Sequence, residues 1–283
     1  MYTKNFEYDN EKLSDYGMIV CSFNGSGGME TVSCGSDITF LQEKAGGANR
    51  FLLYSTAYDS AFSAVFHICK DPALIQKNSD MYFTTTEISA LQKWLCQKQY
   101  RKFKIDQDDY RHFYWNAVFS AKQINFNGSV IGMELTLYTD APFCYMDEIV
   151  IEKECKKDTL FEIYDSSDEE GYLFPDLRIT FLENGRDIAG PDGSVKYQKA
   201  FTLTNTQDRH SCIIQNCSAN EVITINGNSQ MISSSVPGHC LGADFNFFFP
   251  KIINSYKDNK NIFSCNINCL LTLSYSPIRK IGL

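Results

Sequence analysis

The sequence predicts a mainly β protein, and three observations support that fold class. Short segments of alternating apolar and polar residues recur along the chain, two Asn-Gly pairs connect such segments, and one segment has the pattern of an α-helix. Asn and Gly accept the positive φ angles of a two-residue turn of the primed type, whose twist matches the flanking strands. We therefore expect hairpins at Asn127-Gly128 and at Asn226-Gly227, one in each half of the chain.

Length and composition predict two β-rich domains in series. The 283 residues exceed the size that a single core comfortably serves, and the apolar content of 43% is sufficient for two cores. The net charge is −8 without a basic cluster, which argues against DNA or anionic membranes as partners. The longest apolar runs are far shorter than a membrane span, and residues 1–9 lack the apolar core of a signal peptide. We expect neither sequence-specific nucleic-acid binding nor membrane insertion.

The first half contains strand patterns and one helix. Residues 51–57 form an apolar run, and residues 60–69 alternate so that Phe62, Phe66 and Ile68 share one face. Residues 84–87 have the pattern of a capping box, which predicts a helix from there to about residue 100. The polar, glycine-containing residues 42–50 predict an exposed loop or hairpin tip.

The second half predicts a sandwich of six or more short strands without a helix. Strand patterns occur at residues 177–182, 200–204, 212–217 and 268–275, among others. The acidic residues 165–171 interrupt them and lack the ligand order of a calcium loop, so we expect a solvated turn there.

The eleven cysteines do not predict a disulfide framework, because their number is odd and several lie in apolar strand-like runs. A zinc site is the more specific alternative for these cysteines. Two sets of ligands are conceivable: His210, Cys212 and Cys217, or His239 and Cys240 with Cys265 and Cys269. Neither set has the paired Cys-x-x-Cys spacing that makes a zinc motif specific, so we expect no metal and no cofactor.

Catalytic motifs are also missing from the sequence. With four histidines, the chain contains no G-x-S-x-G elbow, no H-E-x-x-H pair, no P-loop and no G-x-G-x-x-G. Its paired carboxylates, such as Asp108-Asp109, lie in polar turns where a large pKa shift is not expected. The sequence therefore predicts no catalytic residues and no enzymatic activity.

Several motifs resemble a known family. The segments YDNEKLSDYGMIVCSFNG, FTTTEISALQKWLCQKQYRKFKID and YWNAVFSAKQINFNGSVIGMELTLYTDAPF are similar to the first domain of phage distal tail proteins. The later segments GYLFPDLRIT, IIQNCSANEVITING, DFNFFFPKIINSYKDNKNIF and LTLSYSPIRKIGL resemble the galectin-like C-terminal domain of that family. The resemblance implies a tail-tube-like, ring-forming domain at residues 1–146 and a galectin-like β-sandwich at residues 147–283.

The resemblance also implies a function. Such proteins form a homohexameric hub ring at the distal end of the tail, within the virion, after synthesis in the bacterial host cytoplasm. The implied partners are the tail-tube protein, the tape-measure protein, the tail-associated lysin or tip protein and a receptor-binding protein. In the tail-tube-like fold a long loop reaches toward a neighbouring subunit or ring, and the candidate residues for it are Gln42, Glu43, Lys44, Gly46, Gly47, Asn49 and Arg50. An idle surface loop is the alternative for these residues.

A second hypothesis is a carbohydrate-binding accessory protein that recognises the host surface. Sugar sites stack a ring on an exposed aromatic side chain, and galectin sites use a tryptophan for this purpose. Trp94 and Trp115 both lie in the first half of the chain, so a tyrosine would have to serve in the second.

Overall fold

The computed structural model describes residues 4–23, 35–44, 46–47, 50–255 and 259–282. The chain forms two compact units, Met1–Asp147 together with Arg279–Leu283, and Glu148–Ile278. Antiparallel strands dominate both units, and the prediction of a mainly β, two-domain protein is confirmed. No helix in the described ranges is long and apolar enough to cross a membrane.

In its described residues the first unit combines ten strands with one α-helix of three turns and four short 3₁₀ helices. The strands are β1 (Phe6–Tyr8), β2 (Glu11–Lys12), β3 (Met18–Cys21), β4 (Ile38–Lys44), β5 (Phe51–Tyr58), β6 (Ser63–Lys70), β7 (Arg101–Ile105), β8 (Phe113–Phe126), β9 (Ser129–Thr139) and β10 (Cys144–Met146). The helix is α1 (Thr85–Leu95), and the 3₁₀ helices span Leu13–Tyr16, Pro72–Leu74, Asn78–Met81 and Asp108–Tyr110.

The large sheet of the first unit has the order β2-β1-β7-β8-β9-β6-β3, with β10 paired to β8. Aromatic rings fill its core: the centroid of Phe6 lies 5.4 Å from Phe103 and 5.6 Å from Phe66. Helix α1 docks on this core because the Trp94 indole Nε1 donates to the Tyr8 carbonyl at 2.9 Å. The predicted inward face of β6 is confirmed, since Phe66 and Ile68 are buried.

The capping box of α1 forms as the sequence predicts. The Thr84 hydroxyl accepts from the Glu87 backbone N–H at 3.3 Å, and Glu87 Oε2 accepts from the Thr84 N–H at 2.7 Å. The predicted end near residue 100 is wrong, because the helix ends at Leu95 and Cys96 leaves the helical region of φ and ψ. Residues 96–100 form an irregular connection to β7, which begins at Arg101 and pairs with β1 and β8, so the chain must leave the helix before that strand.

The two Asn-Gly pairs form different turns. Asn127 (φ 49°) and Gly128 (φ 83°) occupy the positive region, so β8 and β9 are joined by the expected primed turn. At Asn226 the hairpin exists, but its strands are joined by the four residues 227–230. Gly227 is required there for space, because a Cβ atom on it would lie 2.0 Å from the Phe174 carbonyl oxygen.

The second unit contains the remaining strands and one short helix. The strands are β11 (Ile149–Cys155), β12 (Thr159–Tyr164), β13 (Gly171–Leu173), β14 (Asp176–Phe181), β15 (Arg186–Ala189), β16 (Val195–Asn205), β17 (Ser211–Ile214), β18 (Val222–Asn226), β19 (Met231–Ser234), β20 (Ile252–Asn254), β21 (Lys260–Cys265) and β22 (Cys269–Tyr275), with β23 (Ile278–Arg279) where the chain leaves the unit. The helix is α2 (Leu241–Asp244), which the sequence did not predict.

Two five-stranded sheets enclose the core of the second unit. One has the order β11-β22-β14-β18-β19, and the other has the order β12-β21-β16-β15 with β17 beside β16. Apolar side chains from both sheets, including Phe181, Phe201 and Phe263, form one buried cluster. The predicted sandwich is therefore observed.

The acidic segment that follows β12 is only partly solvated. Asp165 is 2% exposed and accepts hydrogen bonds from the Ser167 hydroxyl and the Asn254 amide, both at 3.0 Å. The expectation of a solvated turn is therefore wrong for Asp165, because two neutral donors compensate its burial.

The end of the chain returns to the first unit. Arg279–Leu283 group with that unit, the Cys144 thiol donates to the Arg279 carbonyl oxygen at 3.3 Å, and Ile281 packs on the first core. The second unit is thus inserted between two segments of the first.

Candidate interaction surface

Strands β4 and β5 form a hairpin that pairs with no other strand in the described part of the chain. Their register runs from Ile38 opposite Tyr58 to Lys44 opposite Phe51, with a bulge between Leu41 and Gln42. A two-stranded sheet without further support is marginally stable in water. The length of this hairpin therefore indicates that its strands gain contacts elsewhere.

Large apolar side chains cover the hairpin and are exposed. Phe51 is 65% exposed, Tyr54 64%, Phe40 57%, Leu53 56% and Leu41 53%. Side chains alternate between faces along a strand, so Phe51 and Leu53 lie on one face and Tyr54 on the other. Contiguous exposed apolar surface of this kind marks interaction sites.

Two hydrogen bonds join the two ends of the hairpin to each other, and one ring contact joins its base to the rest of the first unit. The Thr39 hydroxyl donates to the Asp59 carboxylate, and the Asp59 N–H donates to the Asp37 carbonyl oxygen at 3.3 Å. The Tyr58 ring lies edge-on to Phe143, with centroids 6.4 Å apart. The exposed strands therefore extend from an anchored base.

The residues proposed from sequence lie at the tip of this hairpin. Gln42, Glu43 and Lys44 end β4, Gly46 and Gly47 form the turn, and Arg50 directly precedes β5. Asn49 lies outside the described residues. The segment is thus a hairpin tip, and part of it is strand.

Sequence reasoning missed the apolar strands themselves. The run FLLY at the start of β5 has apolar residues on both faces of a strand, which is typical of a fully buried strand. In the structure the same residues are exposed, because no second layer among the described residues covers them. The sequence signal for this surface was a strand with apolar residues on both faces, directly beside a polar tip that contains glycine.

The structure does not bring together either of the two sets of zinc ligands that the sequence offers. His210 stacks on Phe248 at 4.6 Å between centroids, while Cys212 and Cys217 are buried in the core of the second unit. Cys240 is exposed. None of the ten cysteines in the described ranges forms a disulfide.

His239 lies instead in a buried ion pair. Its Nδ1 is 2.5 Å from Glu221 Oε1, and its Nε2 is 2.9 Å from the Gln215 carbonyl oxygen and 3.4 Å from Asp244 Oδ2. Every partner is an acceptor, so each ring nitrogen that carries a proton has an acceptor beside it. The imidazole ring is therefore held from both sides.

The carboxylate of this pair is held in its charged form. Burial alone raises the pKa of Glu221, but hydrogen bonds from Ser234, His239 and the Ser218 N–H outweigh burial and lower it. The Ser234 hydroxyl donates to Glu221 Oε1 at 2.5 Å. The cluster therefore stabilises the loop between β19 and β20 as a structural ion pair.

Aromatic residues of the second unit gather around one lysine, and one of them is exposed. Lys251 Nζ lies 4.4 Å from the ring centroid of Tyr172, 5.5 Å from that of Phe248 and 5.7 Å from that of Phe174. Tyr172 is 59% exposed, so part of its ring faces solvent. We call Tyr172, Phe174, Phe248 and Lys251 the aromatic patch.

The fold matches a solved phage structure. The crystal structure of the Dit protein of SPP1, described as a paradigm of the hub adsorption apparatus in phages that infect Gram-positive bacteria, superposes with a TM-score of 0.61 at 9% sequence identity. The match covers 96% of this chain and 98% of that chain. The two proteins therefore share a fold over nearly their whole lengths.

Family models assign both halves of the sequence. One described as the phage tail protein N-terminal domain matches residues 1–141, and one described as the phage tail C-terminal domain matches residues 143–275. The chain belongs to this family of phage tail proteins and is a structural component of the virion tail. The resemblance to distal tail proteins is confirmed, whereas no curated protein matches the sequence significantly.

Proposed function

We propose that six copies of this chain form a hub ring at the distal end of the tail, with the β4–β5 hairpin as the contact that closes the ring. The observation that supports this is an anchored hairpin with exposed apolar side chains and no partner strand among the described residues of its own chain. Closing a ring requires one surface of each subunit to bind a different surface of the next. A projecting hairpin supplies the first of these surfaces, and the neighbouring first unit supplies the second.

The two units have different roles in this proposal. Residues 1–146 form the tail-tube-like ring, which contacts the tail-tube protein and the tape-measure protein on one side and the tail-associated lysin or tip protein on the other. The second unit, Glu148–Ile278, is a galectin-like domain that projects outward and binds a receptor-binding protein. In this proposal the hub acts without catalysis.

Light scattering of the full chain tests the ring. We expect a mass six times that of the 32.2 kDa chain at micromolar concentration, or after co-expression with the adjacent tail proteins. Electron micrographs of the same sample are expected to show sixfold rings. A monomer under both conditions would contradict the proposal.

The aromatic patch supports a second candidate function, which is binding of a host-surface carbohydrate by the second unit. Exposed aromatic faces stack on sugar rings, and Tyr172 presents such a face beside a cation. Binding of host cell-wall glycans to the full chain would be measured with Tyr172→Ala. Tyr164→Ala is the matched control because Tyr164 is equally exposed, at 59%, on β12. Equal binding by the wild type and both variants would argue against the patch.

A further inference from the structure

Three cysteines meet inside the second unit. Cys155 ends β11 and lies directly opposite Cys269, the first residue of β22. Cys265 ends β21 in the other sheet, where it lies opposite Thr159. Residues 266–268 carry the chain from one sheet to the other, so the three thiols come together where the two layers are joined.

The geometry of the cluster suits a metal ion. The three Sγ atoms lie within 4.8 Å of one another, and those of Cys265 and Cys269 are 3.6 Å apart. With zinc–sulfur bonds of about 2.3 Å and tetrahedral angles, ligand sulfurs are separated by about 3.8 Å. The cluster therefore needs only a small contraction to hold one ion.

We propose that Cys155, Cys265 and Cys269 bind one Zn²⁺ ion that joins the two sheets of the second unit. Thiolate sulfur selects soft and borderline ions, and Zn²⁺ imposes no geometry of its own. These cysteines fill three of the four tetrahedral positions of the ion. The hydrogen bond that the Cys265 thiol donates to the Ile267 carbonyl oxygen, at 3.3 Å, is replaced by a zinc–sulfur bond when the ion binds. On binding, the thiols lose their protons to solvent and three zinc–sulfur bonds form.

The arrangement of the sulfurs sets these three cysteines apart from the other cysteines of the core. Their Sγ atoms lie within 4.8 Å of one another. Cys212 provides the contrast. It is equally buried in the same core, and there burial raises the pKa of the thiol. Proximity of the three sulfurs, rather than burial, distinguishes the cluster.

A disulfide is the competing chemistry for these residues. Cys155 and Cys269 are direct cross-strand neighbours, and oxidation would join any two of the three sulfurs and leave the third as a thiol. The chain would then be lighter by two hydrogen atoms and would bind no metal. Mass and metal content together distinguish the two outcomes.

The test uses the full chain, purified under reducing conditions without chelators. We expect about one zinc ion per chain by elemental analysis, and Co²⁺ exchange is expected to produce thiolate-to-cobalt charge-transfer absorption. Cys155→Ala and Cys269→Ala are expected to lower the metal content by at least tenfold. Cys212→Ala, which removes a thiol from the same core, is expected to keep the metal.

The outcomes decide the proposal without depending on the folding of any single variant. Metal in the wild type and in Cys212→Ala, but not in the cluster variants, supports the site. Wild-type protein without metal and without the cobalt signal overturns it, as does a mass that shows a disulfide within the cluster. Equal metal content in all variants also overturns it, because the ion would then lie elsewhere.

Discussion

Removing the apolar side chains from one face of the β4–β5 hairpin should dissociate the ring and leave the fold intact. Phe51 and Leu53 share a face and are 65% and 56% exposed, so more than half of each side chain is available for a neighbouring subunit to cover. Full burial of such a side chain contributes about 1.5–3 kcal/mol. We therefore expect Phe51→Ser combined with Leu53→Ser to weaken each subunit contact by about 2–3 kcal/mol. At about 1.4 kcal/mol per tenfold change, each contact becomes about 30- to 100-fold weaker.

The assay is light scattering across a dilution series, combined with thermal unfolding of the same samples. Phe126→Ser is the matched control, since Phe126 is 56% exposed at the end of β8, beside another hairpin of the same unit. Exposed substitutions outside a contact change the unfolding free energy by less than about 0.5 kcal/mol. Rings of unchanged stability in the double variant would refute the reasoning. Equal dissociation by Phe126→Ser would show that the contact is not specific to β4–β5.

Three further predictions concern local stability and are measured by denaturant unfolding. Gly227→Ala should lower the free energy of unfolding by more than about 2 kcal/mol, because its Cβ would clash with a backbone carbonyl. Gly46→Ala should leave it nearly unchanged, since no described atom lies within 4 Å of a Cβ at that position. Equal losses in the two variants would contradict this. The pKa of Glu221 is lowered by folding, so its ionised form stabilises the protein above the ordinary glutamate pKa, and that stability is lost as the pH falls below about 4. Glu221→Gln should lower the free energy of unfolding by about 3 kcal/mol at pH 7 and should make that free energy less dependent on pH in the acid range. An unchanged dependence on pH would count against a stabilising role for the pair of Glu221 and His239. Thr84→Ala should lower the free energy of unfolding by about 1 kcal/mol because it removes the side chain that caps α1. Thr85→Ala changes the first residue inside the helix and should not cause this loss.

Local rules predicted the elements whose causes lie close together in the sequence. The capping box at Thr84 and the primed turn at Asn127-Gly128 depend on side chains and φ angles within a few residues, and both form. The end of α1 depends on the pairing of β7 with distant strands, which the sequence pattern does not contain. The glycine at position 227 indicated a turn, but glycine is needed there because a backbone carbonyl from another segment lies too close for a Cβ atom.

At the candidate site, too, the features with local causes were predicted and those that depend on distant segments were not. The polar tip at residues 42–50 was recognisable from composition, and its exposure follows from its position in a hairpin. The exposed strands beside it were not recognised, because an apolar run predicts burial without indicating what covers it. The cysteine cluster joins residues from β11, β21 and β22, so its members become neighbours only once the sandwich has formed. The roles of residues 1–146 and 147–283 stay predictions.

The return of Arg279–Leu283 to the first unit has a practical consequence for labelling and for genetic exchange. A fluorescent or affinity tag inserted directly after Arg279–Leu283 would mark the unit proposed to form the ring, although the sequence order suggests that it would mark the outer one. Reporters for the second unit belong in its own exposed turns. Exchange of that unit between related phages requires two crossover points, one near Asp147 and one near Arg279, so recombination at a single junction would leave the first unit without its closing segment.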